Sequence, residues 1–97
     1  MKVLALERDL APGDDPRFAE LRSAEARAVW DLSQADIVRE IYFRADEPSA
    51  VLVLEVPDGT AARAALNTLP LVAAGLIEFE VVPLRPYPGF GRLFAER

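Results

Sequence analysis

Leu76 to Val82 constrains this chain more than any other stretch. Ile77, Phe79 and Val81 alternate with Glu78 and Glu80. That period of two is the mark of a β-strand with one face on a core and one carboxylate face turned away. Upstream, Asn67 to Gly75 reads as the end of a helix followed by a short loop, because Pro70 cannot continue a helix and Gly75 permits a tight turn. A strand of this kind needs other strands beside it and a helical layer beneath it.

The rest of the sequence supplies both. Lys2 to Arg8 reads as a first strand. Asp15-Pro16 then opens a helix, Asp as cap and Pro at the first helical position. From Pro16 to about Ser33, Phe18, Leu21, Ala28, Val29 and Leu32 share one face at helical spacing. Gln34-Ala35-Asp36 breaks the helix, and Ile37 to Arg44 alternates as a second strand, with Ile37, Arg39, Ile41 and Phe43 expected on one side. A turn at Asp46 to Ser49 makes a hairpin with Ala50 to Val56, which is apolar on both faces and so expected to lie centrally in the sheet, covered on both sides. A second helix is expected from about Thr60 to Leu69, before the Leu76–Val82 strand. Strand, helix, strand, strand, helix, strand is the ferredoxin-like βαββαβ order of the α+β class: four antiparallel strands with two helices on one face. Residues 1–97 form one such domain in this reading, and 85–97, rich in Pro, Gly and aromatics, are a packing tail laid along the chain's own domain or across a neighbouring subunit. The uncovered sheet face calls for a second copy, so a homodimer or higher homo-oligomer, closed as a dimeric α+β barrel, is the expected partner arrangement.

Composition narrows the chemistry. The net charge of -5 and the lack of any Lys/Arg run argue against nucleic acid as a partner. No apolar stretch approaches the roughly 18 residues of a membrane span, and the N-terminus lacks the pattern of a signal peptide, so a cytoplasmic location is expected. Without cysteine there are no disulfides or thiolate metal sites, and without histidine the commonest general base and transition-metal ligand are missing. Asp14-Asp15 and Asp46-Glu47 lack the spacing of a calcium loop and suit turns and caps. Acid–base work would therefore fall to carboxylates, Tyr, Lys or Arg.

One carboxylate stands out. Glu25 lies near the centre of the first helix's apolar stripe, where a charge is costly unless it is paired. It calls for a partner, a raised pKa or access to a cavity, and an ion pair with Arg22 or a strand arginine is the purely structural alternative. Trp30 points to the opposite side of the same helix, as if toward another subunit or the tail.

The sequence resembles the muconolactone isomerase family. The resemblance rests on Val56-Pro57 through the alanine-rich helix to Leu69-Pro70-Leu71, on the Ile77-Glu78 strand and on Pro83-Leu84-Arg85-Pro86, with Glu25 and Arg39 at places where that family carries the same residue types. It runs from about Leu21 to Pro86. It implies an oligomer with a pocket near the sheet, helices and subunit boundary, and a double-bond shift in a small unsaturated lactone or carboxylated metabolite by proton removal and return. Such a reaction needs a base and an acid but no cofactor and no metal. The implied roles are Glu25 as proton shuttle, Arg39 as a bidentate clamp on a substrate carboxylate, and Tyr42 as auxiliary donor. The chain departs from the isomerases in having no histidine and fewer polar and aromatic residues in its second strand and tail. Two other readings stand beside this one: a non-catalytic homo-oligomeric module for small-ligand binding or assembly, and a cofactor-free monooxygenase on the same barrel.

Overall fold

A computed structural model describes residues 1–95. The strands are β1 (Lys2–Asp9), β2 (Val38–Phe43), β3 (Ala50–Glu55) and β4 (Ile77–Pro83). The helices are α1 (Pro16–Gln34), α2 (Gly59–Leu66), α3 (Pro70–Ala73) and α4 (Arg92–Ala95), with a 3-10 turn at Gly89–Gly91. The strands form one antiparallel sheet in the order β2-β3-β1-β4. This is the expected ferredoxin-like arrangement, with α1 and α2 between their flanking strands in sequence and on one face of the sheet.

Local chemistry accounts for the element ends. Asp15 accepts a bond from the Arg17 amide at 3.0 Å, and Pro16 occupies the first helical position of α1. Asp36, at φ 61°, takes the left-handed conformation that ends α1, a role in which Asp is tolerated. Asp58 caps α2 through the Ala61 amide at 2.8 Å. Gly75, at φ 74°, turns the chain into β4.

The core lies between the sheet and the helices. Val3, Leu52, Leu54, Leu69, Leu76 and Ile77 are its largest fully buried side chains. Phe79 joins them, so the apolar side of β4 faces the helices as its alternation requires. Glu78 and Glu80 take the other face, and Arg8, in register with Glu78 on β1, donates to it at 2.8 Å. That open face carries Leu4, Leu6, Val51, Val53 and Val82, all partly exposed. β3 is internal to the sheet as expected, but among the described residues no helix lies over this second side, where Val51 and Val53 are partly exposed.

Two sequence expectations are corrected. A β-bulge between Val38 and Glu40 breaks the alternation of β2, so Val38 shares the helix-side face with Ile41 and Phe43 while Glu40 and Tyr42 point to the open side. Arg39 sits in the bulge rather than in the row of Ile41 and Phe43. The segment read as a loop after Leu69 contains the extra turn α3, which Pro70 starts rather than blocks because it occupies the first helical position. Of the two placements expected for the tail, along its own domain or across a neighbouring subunit, the described residues 85–95 do not take the first. Its two helical turns pack chiefly on each other, and the chain is 62 Å long by 29 Å by 19 Å. Its radius of gyration, 16.2 Å, exceeds the roughly 12.5 Å of a compact chain this size. Glu96 and Arg97, the end of the expected tail, lie outside the described residues.

Candidate functional site

Glu25 projects from α1 toward α3, the element against which α1 makes its closest packing. Leu69, which precedes α3, offers no capping side chain, and Glu25 supplies one from another helix: its Oε1 accepts from the Leu71 amide at 2.9 Å. A carboxylate at a helix N-terminus is favourable to both the orphan amide and the helix dipole. Glu25 is half-buried, and its pKa is raised, first by burial; the Leu71 bond pulls the other way. The expected partner of this charge is thus a backbone amide and not an arginine.

A second carboxylate belongs with it. Glu7 on β1 points to the helix side, is half-buried, and accepts at Oε1 from the Ala50 amide at 2.9 Å. Its pKa is also raised, first by burial, then by the charges of Asp9 and Glu25, against the lowering effect of the Ala50 bond. Glu25 is therefore near enough for its charge to bear on Glu7. Each carboxylate is anchored through Oε1, and no bond among the described residues engages either Oε2. Sequence reading missed Glu7. The available signal was its place in the row Val3, Ala5, Glu7, where the strand's own period puts a carboxylate on the buried side.

Beside Glu7 an open depression of about 410 Å³ is lined by Glu7, Arg8, Asp9, Glu47, Pro48 and Ser49. Glu25 does not line it. A smaller cleft of about 100 Å³ lies under α2 and α3, beside Arg63, Asn67 and Glu78.

The other two sequence candidates stand apart. The Arg39 Nε donates to the Asp36 carbonyl at 2.8 Å where α1 passes into β2, and Arg39 makes no ion pair with Glu25. The Tyr42 hydroxyl donates to Glu40 Oε1 at 2.7 Å on the open side of the sheet, which raises its pKa chiefly through that bond. The sheet separates Tyr42 from Glu25. Among the described residues, no group of three or more His, Cys, Asp or Glu is placed to hold a metal ion, and no helix is long and apolar enough to cross a membrane.

Fold and site together define a ferredoxin-like α+β protein with two half-buried carboxylates, Glu7 and Glu25, on the helix side of its sheet. Its fold is that of muconolactone isomerase, whose crystal structure superposes with a TM-score of 0.75 over 91% of this chain and 92% of that one, at 24% identity. A dehydrochlorinase of 5-chloro-2-hydroxyhydroquinone from Burkholderia phenoliruptrix, in complex with 2,5-dihydroxybenzoquinone, is similar over 92% of this chain and 98% of that one, with a TM-score of 0.68 and 15% identity. No family model matches the sequence, and no curated protein does.

Proposed function

We propose that this chain is a cofactor-independent proton-transfer enzyme of the muconolactone isomerase kind, working as a homo-oligomer on a small unsaturated lactone or carboxylated metabolite. The observation that carries this reading is that Glu7 and Glu25 are both half-buried carboxylates with raised pKa values on the helix side of the sheet. Burial raises both pKa values toward the range in which a carboxylate exchanges protons near neutrality. Each keeps one oxygen fixed by an amide and the other available. In the reaction, Glu25 takes a proton from the carbon at the far end of the conjugated system, beside the ring oxygen, and the double bond migrates as the electrons move toward the carbonyl. The proton is returned at the carbon next to the lactone carbonyl, so substrate and product have the same atoms. Arg39, held by the Asp36 carbonyl where α1 passes into β2 and apart from Glu25, is left out of this proton path. Tyr42 faces the other side of the sheet, so the donor role assigned to it passes to Glu7, whose raised pKa favours the protonated form a donor needs. The names of the two similar proteins, an isomerase of a lactone and a dehydrochlorinase of a hydroquinone, support a small oxygenated ring as substrate class.

A second reading is favoured by one specific observation: Glu25 caps α3, a structural task sufficient to explain it. On that reading the chain is a non-catalytic homo-oligomeric module. Incubation with unsaturated lactones, muconolactone among them, in deuterated water separates the two. The enzyme reading expects deuterium uptake and a double-bond shift by NMR, lost in Glu25→Gln while the fold and oligomeric state persist. Turnover undiminished in Glu25→Gln defeats the proton-shuttle role, and no exchange above background on any lactone favours the module.

A further inference from the structure

Exposed large hydrophobic side chains are not scattered over this molecule. Eight of the eleven among the described residues fall in two segments: Ile41, Tyr42 and Phe43 on β2, and Leu84, Tyr87, Phe90, Leu93 and Phe94 on the C-terminal arm. Scattered surface hydrophobics need no explanation, whereas contiguous ones mark contact surfaces.

The β2 segment is the outer edge of the sheet, hydrogen-bonded only to β3. Ile41, Tyr42 and Phe43 are 51%, 57% and 76% exposed, so both sides of this edge are bare. An unpaired apolar edge is a surface that folded proteins ordinarily cover. The arm leaves from the opposite edge. Leu84 donates to the Lys2 carbonyl at 2.9 Å, and beyond it Pro86 and Pro88 hold the chain extended as it runs outward. The arm is not shapeless. The Tyr87 ring lies over Gly89, where an added Cβ would have to displace it, and it meets the Phe90 ring edge to face at 5.1 Å. The result is a small preformed aromatic unit with nothing beneath it.

Charge favours the same partner. Residues 1–83 carry eight Lys and Arg against fifteen Asp and Glu. Residues 84–95 carry Arg85 and Arg92 and no acid. On β2, Glu40 has, among the described residues, only the Tyr42 hydroxyl as partner and no cation. A basic aromatic arm thus complements an aromatic edge flanked by an unneutralised carboxylate.

We infer that the arm of one copy docks along the β2 edge of a second copy, setting Tyr87, Phe90, Leu93 and Phe94 against Ile41, Tyr42 and Phe43 and an arm arginine against Glu40. This deepens the homo-oligomer part of the proposed function by naming the surfaces, and it does not depend on catalysis. It also leaves the open sheet face free for a second contact between the same two copies.

The cysteine-free chain gives a direct test. Phe43→Cys and Phe94→Cys are made separately, one carrying an affinity tag, then mixed and mildly oxidised. The docking predicts a mixed disulfide at twice 10.7 kDa that exceeds either homodisulfide and disappears on reduction. In parallel, Phe90→Ser with Phe94→Ser, both at exposed positions, should leave the circular dichroism unchanged and weaken dimerisation by roughly tenfold or more in light scattering. A Phe43→Cys/Phe94→Cys double variant that closes within one chain at monomer mass shows the arm on its own edge and overturns the inference. A dimer that persists unchanged in the serine variant, with no mixed disulfide, overturns the arm contact while sparing the oligomer. A wild-type chain that is monomeric at micromolar concentration overturns both.

Discussion

Replacing Glu25 by Ala and by Gln separates the two tasks this side chain can have. Ala removes the acceptor of the Leu71 amide, 2.9 Å from Oε1, at the start of a helix with no cap of its own. Losing such a cap costs about 1–2 kcal/mol. The half-buried Cγ methylene adds roughly another 0.4 kcal/mol, about half of its full transfer value. For a domain near 100 residues, 1 kcal/mol moves the melting temperature by about 4–8 °C, so Glu25→Ala should melt on the order of 10 °C below the parent. Gln retains an oxygen at the same reach and discards a charge that burial disfavours. Glu25→Gln should therefore melt at or above the parent near neutral pH. Differential scanning calorimetry reads both values. Amide hydrogen exchange at Leu71 adds a local readout, with protection kept in Gln and lost in Ala. The cap assignment fails if Ala melts within about 2 °C of the parent, or if Gln falls as far as Ala.

Glu7→Gln tests the sign of the linkage at the second carboxylate. Its folded pKa lies above the ordinary 4.5, so its contribution to stability is fully present below that value and is lost as pH rises through the folded pKa. Urea titrations across pH should show the Gln variant gaining on the parent as pH rises and the two converging in acid; a constant offset refutes the burial argument. Leu69→Ala, at a fully buried position between the helices and the sheet, should cost about 2–5 kcal/mol in urea unfolding, and a loss below 1 kcal/mol would mean the helical layer is not packed as described. Gly75→Ala meets no atom within 4 Å, so its penalty comes only from the backbone at φ 74°. It should cost about 1 kcal/mol, with Gly75→Asn closer to the parent.

The fold was legible because its signals are local and periodic. The Ile77–Phe79–Val81 row, the Asp15-Pro16 start of α1 and the stripe from Phe18 to Leu32 each depend on neighbours a few residues apart, and each is found where its spacing puts it. The bulge at Arg39 was not legible. One extra residue in β2 is set by pairing with β3, and it shifts Arg39 out of the row that alternation assigns it. The site was half legible for a related reason. A carboxylate in a helical stripe is conspicuous, whereas Glu7 follows only two small or branched apolar residues in a strand already rich in them. Its separation from Glu25 is set across the sheet–helix interface, and nothing in the sequence states that distance. The cap from Glu25 to Leu71 is likewise a contact across 46 positions.

Capping and acid–base chemistry are not rival explanations at the level of atoms. Oε1 of each carboxylate is held by an amide, which fixes the rotamer and lowers the pKa, while burial raises it by more. A proton exchanged at Oε2 would then move on a group that cannot swing away, the positional precision that proton transfer to carbon requires. The charge of Glu25 adds a minor upward push to the Glu7 pKa, after burial and after Asp9. Burial, the largest cause at both positions, favours the protonated form of each carboxyl, so the helix side of the sheet offers two carboxyl groups able to hold a proton in a chain that has no histidine.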